Sequence, residues 1–319
     1  MKNSFAIGID LGGTKIEIAL IDSDGQATEN IKMPTQVEAG YEAIKNDIFQ
    51  AIQALQMKAK HQIIGIGIGV PGQIHATDGT VIFAPNLKWE NKPIQQDLIK
   101  MTKLPVLVTN DVRAAAWGEW LHGAGIGCQD LVCLFVGTGV GSGIIANGKL
   151  LQGATNAAGE LGHTVILLNG PICTCGNRGC LEALASGWAI AKAAKNKIQE
   201  EPGLNTKILD LASGEIQNVT AKLVIEAYHE KDPLAIAVIA HMQEALVAGC
   251  VNIVNTFNPE RLILGGGVLS NLPETLNFIQ DQVAKLSLRA PSAKLKILPA
   301  ALTKNAGAIG AGTMAWQTL

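Results

Sequence analysis

The chain has 319 residues, 48% hydrophobic and 16% charged, which is enough apolar material for two cores of ordinary domain size and excludes a disordered chain. Its formal net charge is −2 with no block of consecutive lysines and arginines, so it carries no electrostatic footprint for nucleic acid or an anionic membrane surface. Six cysteines in a chain this long do not make a disulfide framework, and small-molecule chemistry in the cytoplasm is the expectation.

From the start, Phe5-Ala-Ile-Gly-Ile9 is cut short by Asp10 before it could serve as a signal core. Phe5 to Ile9 and Ile16 to Ile21 read as strands around Asp10-Leu-Gly-Gly-Thr-Lys15, and Asp24-Gly25 marks a hairpin turn into a third strand. Val37, Tyr41, Ile44, Ile48, Ile52 and Leu55 recur at helical spacing and predict an amphipathic helix over a sheet face. Ile63 to Val70 and Leu104 to Thr109 read as strands ending at Pro71-Gly72 and Asn110-Asp111, with a helix from Val112 to Glu119. Strands alternating with helices predict an α/β protein with parallel pairing.

The plan repeats. Leu131 to Val136 and Gly143 to Ala146 flank Gly137-Thr138-Gly139-Val140-Gly141, and Asn147-Gly148 marks the next hairpin. The repetition predicts two related domains facing one another across a cleft, with residues 1–118 plus 302–319 as the smaller and 119–301 as the larger. Beyond the polar stretch from Glu200 to Thr220, read as a surface insertion, come a long helix from Pro233 to about Thr256 and a strand from Arg261 to Leu264. Gly265-Gly266-Gly267 and a helix through Lys285 follow. The last helix, Asn305 to Trp316, is rich in glycine and alanine, which cost helix propensity but permit close backbone approach, so it is expected to pack on the N-terminal domain. No segment reads as long and apolar enough to span a bilayer.

Three features carry chemistry. His163, Cys173, Cys175 and Cys180 have the residue types of a closed tetrahedral zinc site, with a disulfide or ordinary buried thiols as alternatives. Gly12, Gly13 and Thr14, then Gly137, Thr138 and Gly139, and then Gly265 to Gly267 can bring backbone N–H groups close to an anion, although neither of the first two loops has the Gly-Lys-Ser/Thr ending of a Walker loop. Asp111 follows a strand and opens a helix, a position suited to a general base or to an ordinary N-cap. Asn110 and Asn86 add polar groups of the kind that hold a polyhydroxylated ligand.

Together these residues resemble the ROK group (repressor, open reading frame, kinase) of sugar kinases and sugar-responsive repressors, over nearly the whole chain. Asp10-x-Gly-Gly-Thr-Lys15, Asn110-Asp111, Gly137-Thr138-Gly139 and Glu160-Leu-Gly-His163 with the three cysteines are similar to its motifs. The resemblance implies an actin-like, RNase H-like two-domain ATPase fold and a homodimer. It implies Asp111 as base, with Asn86, Asn110, Glu160, His163 and Glu182 bonding sugar hydroxyls. Asp10 would position magnesium; Gly12, Gly13, Thr14, Gly137, Thr138 and Gly139 would face the phosphates of ATP, and Gly265, Gly266 and Gly267 its adenosine. His163 would use one ring nitrogen for zinc and the other for the sugar.

These implications add up to an ATP-dependent hexokinase acting on the 6-hydroxyl of glucose. N-acetylglucosamine, N-acetylmannosamine and fructose are the alternative acceptors within the same scaffold. A DNA-binding repressor of the family would need a helix-turn-helix ahead of the first strand, where four residues precede Phe5. Partners are therefore expected to be a hexose and ATP, with no nucleic acid and no membrane.

Overall fold

The computed structural model describes residues 4–302 and 305–318. Residues 1–3, 303–304 and 319, which the expected domain boundaries also cover, lie outside the described residues.

The N-terminal run forms β1 (Ser4–Leu11), β2 (Lys15–Ile21) and β3 (Ala27–Pro34). The turn before β3 closes because the Asp22 carboxylate accepts the amides of Asp24 and Gln26 at 2.9 and 2.8 Å while Gly25 takes φ 76°. Then come α1 (Gly40–Lys58), β4 (Gln62–Val70), the short strands β5 (Gln73–Ile74), β6 (Val81–Ala84) and β7 (Trp89–Lys92), α2 (Ile94–Thr102), β8 (Val106–Asn110) and α3 (Asp111–His122). Sheet order is β3-β2-β1-β4-β8, with β4 parallel to β1 and to β8 and β2 antiparallel to its neighbours. Ile44, Ile48, Ile52 and Leu55 of α1 are buried in one cluster with Ile7, Ile9, Ile16, Ile18, Ile66 and Ile68. The helical spacing read from the sequence is therefore the face that makes this core.

The other side of this sheet is built from glycine. β4 alternates Ile66, Ile68 and Val70 with Gly65, Gly67 and Gly69, and the strand period of two puts the two sets on opposite faces. A Cβ at Gly67 would stand 1.8 Å from the Ala311 carbonyl oxygen, and one at Gly8 1.8 Å from that of Ala308. Only hydrogens there let the C-terminal helix lie backbone to backbone on β1 and β4.

The second half gives β9 (Leu131–Val136), β10 (Val140–Ala146), β11 (Lys149–Leu150), α4 (Leu181–Ala185), α5 (Gly187–Glu200), α6 (Lys207–Leu211) and α7 (Ala221–His229). It continues with α8 (Pro233–Phe257), β12 (Arg261–Gly265), α9 (Gly267–Ser270), α10 (Glu274–Leu286), α11 (Arg289–Ser292), β13 (Lys296–Pro299) and α12 (Ala306–Thr318). Its sheet runs β11-β10-β9-β12-β13, the same plan of a meander followed by added strands as in the first sheet. β5, β6 and β7 make a separate three-stranded sheet that the sequence reading lacked.

Two compact units result: Met1–Leu131 with Gly143–Gly159 and Ala300–Leu319, and Val132–Ser142 with Glu160–Pro299. This division differs from the expected boundary after residue 118. α3 runs unbroken to His122, and the fully buried Glu119 accepts the amides of Ala124, Ala301 and Leu302 at 2.9, 3.1 and 2.7 Å. That carboxylate fastens the chain after α3 and the chain before α12 to one point. Residues 143–159 also join the first unit, where Arg113 donates to the carbonyl oxygens of Asn156 and Ala158 at 2.7 and 2.6 Å.

One further expectation is corrected. α8, 25 residues long, is apolar enough by length and composition to cross a bilayer; half of its most apolar window is buried inside the fold. Met242, Leu246, Cys250, Ile253 and Val254 on its buried face explain the composition as that of a core helix. The stretch from Glu200 to Thr220 lies mostly exposed and is anchored to that helix near its middle: the buried Asp232 that caps α8 also accepts the Thr206 hydroxyl and the Lys207 amide, each at 2.9 Å.

Candidate active site and metal centre

In the first unit, β1 ends by delivering Asp10 and β8 by delivering Asn110. Asn110, rather than Asp111, is the N-cap of α3: its side-chain oxygen accepts the amides of Val112 and Arg113 at 3.0 and 3.2 Å, and its nitrogen donates to the Gly72 carbonyl at 3.3 Å. The second N–H of its amide has no partner among the described residues. Asp111 stands at the first helical position, with Oδ1 accepting the Val112 amide at 2.9 Å.

Burial, and then the charge of Asp111, push the Asp10 carboxyl up to about 7. Two carboxylates this close disfavour each other's ionisation unless a cation joins them. The pair therefore fits a magnesium site with Asp10 as the contact group. The structure adds a neighbour that the sequence did not reveal: a Cβ at Gly307, in the first turn of α12, would lie 2.6 Å from the Asp10 carboxyl carbon. Fold-back of the last helix is thus part of the Asp10 environment.

The first glycine loop is a tight turn with defined ends. The Gly12 amide donates to the Lys15 carbonyl at 2.9 Å, so Gly12 shapes the loop and its N–H is spent. Gly13 and Thr14 make no backbone N–H bond among the described residues and remain the loop's donors. A Cβ at Gly13 would sit 3.1 Å from the Asn86 carbonyl oxygen, so the loop rests on the 3-10 turn Pro85–Leu87. Asn86 is exposed at that turn, above the fully buried Leu87 and the nearly buried Trp89.

In the second unit, His163, Cys173, Cys175 and Cys180 offer ligand atoms that all lie within 4.8 Å of one another. Tetrahedral zinc with bonds of ~2.3 Å to sulfur and ~2.0 Å to nitrogen sets sulfur pairs ~3.8 Å apart and a sulfur and a nitrogen ~3.6 Å apart. Cys175 Sγ and Cys180 Sγ are 3.7 Å apart, and Cys173 Sγ and His163 Nδ1 are 3.6 Å apart. A disulfide needs about 2.05 Å, so Cys175 and Cys180 are not bonded, and Cys173 is free as well. Burial holds the Cys173 thiol above its ordinary value and takes Cys180 up to about 12, while the Asn177 amide lowers Cys175. Clustered thiols that resist ionising together are what a cation stabilises as thiolates. With Nδ1 in the cluster, Nε2 of His163 is the nitrogen available for a sugar, and Glu160 is exposed at the head of the Leu161–His163 turn.

Glu182, expected to bond sugar hydroxyls, is held by groups of its own unit. It is 8% exposed, and its carboxylate accepts the Val140 amide at 3.0 Å, the Thr174 hydroxyl at 3.1 Å and Trp188 Nε1 at 3.4 Å. Gly137 and Thr138 line a cavity of about 680 Å³ with Gly187, Trp188, Ile225 and Gly267, a volume in the range of small-molecule sites. The expected adenosine loop contributes only Gly267 to that lining. Gly265 ends β12, and Gly266 turns at φ 95° against the backbone of Val136. The apolar wall instead comes from α5 and α7, whose Trp188, Ala191 and Ile225 carry no motif. Helical spacing marked no ligand face there because the same residues serve as ordinary packing.

A sequence model of the ROK family matches residues 6–318. The chain belongs to the ROK family. It is 35% identical to a glucokinase of Halalkalibacterium halodurans over 99% of this chain and 96% of that protein. A ROK family glucokinase from Streptomyces griseus, solved in complex with glucose and AMPPNP, superposes with a TM-score of 0.78 at 33% identity, covering 98% of this chain and 99% of that one. A xylose repressor of Caldicellulosiruptor bescii is 34% identical over 91% of this chain, which spans 74% of the repressor. The fold is accordingly the actin-like α/β ATPase fold of ROK sugar kinases.

Proposed function

We propose that this protein is an ATP-dependent hexokinase that transfers the γ-phosphoryl group to the 6-hydroxyl of glucose. The observation that carries this reading is the half-buried Asp10 beside Asp111, at the head of the first glycine loop, in a chain similar to glucokinases along its whole length. A sugar hydroxyl is a weak nucleophile at neutral pH, and a carboxylate that takes its proton as it attacks phosphorus in line removes that obstacle. Asp111 takes that proton. Asn86, the remaining N–H of Asn110, Glu160 and Nε2 of His163 hold the other hydroxyls and set which one reaches the base.

The Gly13 and Thr14 amides, together with Thr138, neutralise phosphate charge through preorganised donors. Magnesium held by Asp10 supplies further neutralisation when bound. His163, Cys173, Cys175 and Cys180 would hold zinc, and with four protein ligands the ion would serve as a brace with no open position for substrate. We place the enzyme in the cytoplasm as a homodimer, a state that sedimentation of the purified protein tests directly.

The decisive experiment is a coupled ATP assay across glucose, mannose, fructose, N-acetylglucosamine and N-acetylmannosamine. Glucose should give the highest kcat/KM. Preference for an acetylated sugar or for fructose would move the protein to another acceptor, and no turnover with any of the five would remove the kinase reading.

A further inference from the structure

Three segments of the second unit converge on one side chain. Glu182 in α4 accepts Thr174 of the cysteine loop, Trp188 of α5 and the Val140 amide just after the second glycine loop. A Cβ at Gly139 would lie 2.6 Å from Glu182 Oε2, so the loop packs directly on the carboxylate. The loop's other ties use its backbone alone: the Gly137 amide meets the Gly139 carbonyl at 2.9 Å, and Gly187 and Trp188 amides donate to the carbonyls of Gly137 and Thr138 at 2.8 and 3.3 Å.

We propose that Glu182 is a positioning residue for the nucleotide: its carboxylate ties the cysteine loop, through Thr174, to Val140 and so sets where Gly137 and Thr138 stand in the cavity wall. Its two oxygens take donors from three separate segments, which suits this group to fix one loop against another. The inference rests on the reading of that cavity as the nucleotide site. It is separate from any contact between Glu182 and sugar.

Thr174 tests it, because it is an exposed residue whose hydroxyl reaches Glu182 and which belongs to neither the cysteine set nor the cavity lining. The zinc-loaded, full-length protein and its Thr174→Val and Thr174→Ser variants are titrated with ADP and magnesium by calorimetry, alongside metal analysis and steady-state kinetics. Thr174→Val should weaken ADP binding and raise KM for ATP by about three- to tenfold, the size of one ordinary hydrogen bond. KM for sugar and zinc content should stay at the wild-type level, and Thr174→Ser should restore the nucleotide affinity. Glu182→Gln, whose NH2 group must face one of the three donors, should weaken ADP further. Unchanged ADP affinity in Thr174→Val, a rise confined to the sugar KM, or loss of zinc in proportion to the loss of ADP binding would each overturn the proposal. ADP binding needs no sugar turnover, so a protein that phosphorylates none of the five sugars yet loses ADP affinity in Thr174→Val refutes the hexokinase reading and leaves this inference standing.

Discussion

Asp10 and Asp111 share one electrostatic problem, and it assigns them different work. The Asp10 carboxyl, at about 7 in the fold against 3.8 in an open chain, retains its proton on folding between those values. Stability from this group is fully present below pH 4 and is lost as pH rises through 7, because the folded state binds more protons in that window. In magnesium-free buffer, Asp10→Asn should therefore gain in melting temperature over the wild type at pH 8 but not at pH 4, as calorimetry at both pH values would read. Asp111→Asn should keep sugar affinity and lower kcat by at least about 10²-fold, the low end for a general base; near-normal turnover would take Asp111 out of that role. From the sequence, Asp111 taken alone was better read as a helix cap. The fold separates the possibilities by giving the cap to Asn110, a distinction that depends on where the strand ends and the helix begins within one residue.

Among the elements, the cysteine loop and α12 differ in how far the sequence exposes them. Ligand chemistry made the loop legible, since His163 and three cysteines are residue types that few other structures require together. Cys175→Ser should reduce bound zinc to well below one per chain, and full occupancy in elemental analysis would contradict the ligand set. α12 was legible as a helix packing on the first unit, but its bearing on Asp10 was not. Its contact with α3 is equally tight: a Cβ at Gly310 would stand 1.7 Å from the Ala114 carbonyl oxygen. Backbone cannot step aside as a side chain can, so Gly310→Ala should destabilise the protein by about 1–3 kcal/mol or more, measured as a lower midpoint in urea unfolding. The alternating glycines of β4 were the sequence's available signal for this close approach.

For the whole molecule, the cavity proposed for the nucleotide lies within one compact unit, from Gly137 through Asn271. ADP at about 100 times its Kd should stabilise the state that binds it by about 2.7 kcal/mol. Hydrogen exchange should slow first in α5 and α7, and protection absent from both would move the site elsewhere. The sequence by itself determined the α/β class, the repeated meander, the glycine loops and the cysteine cluster, because each rests on local periodicity or on chemistry packed into a short stretch. Only the tertiary structure decided that residues 119–131 and 143–159 belong with the N-terminal sheet, that Gly307 meets Asp10, and that Glu182 spans two loops. Those depend on contacts between residues far apart in the chain, where a buried carboxylate or a missing Cβ acts on whatever folding brings beside it.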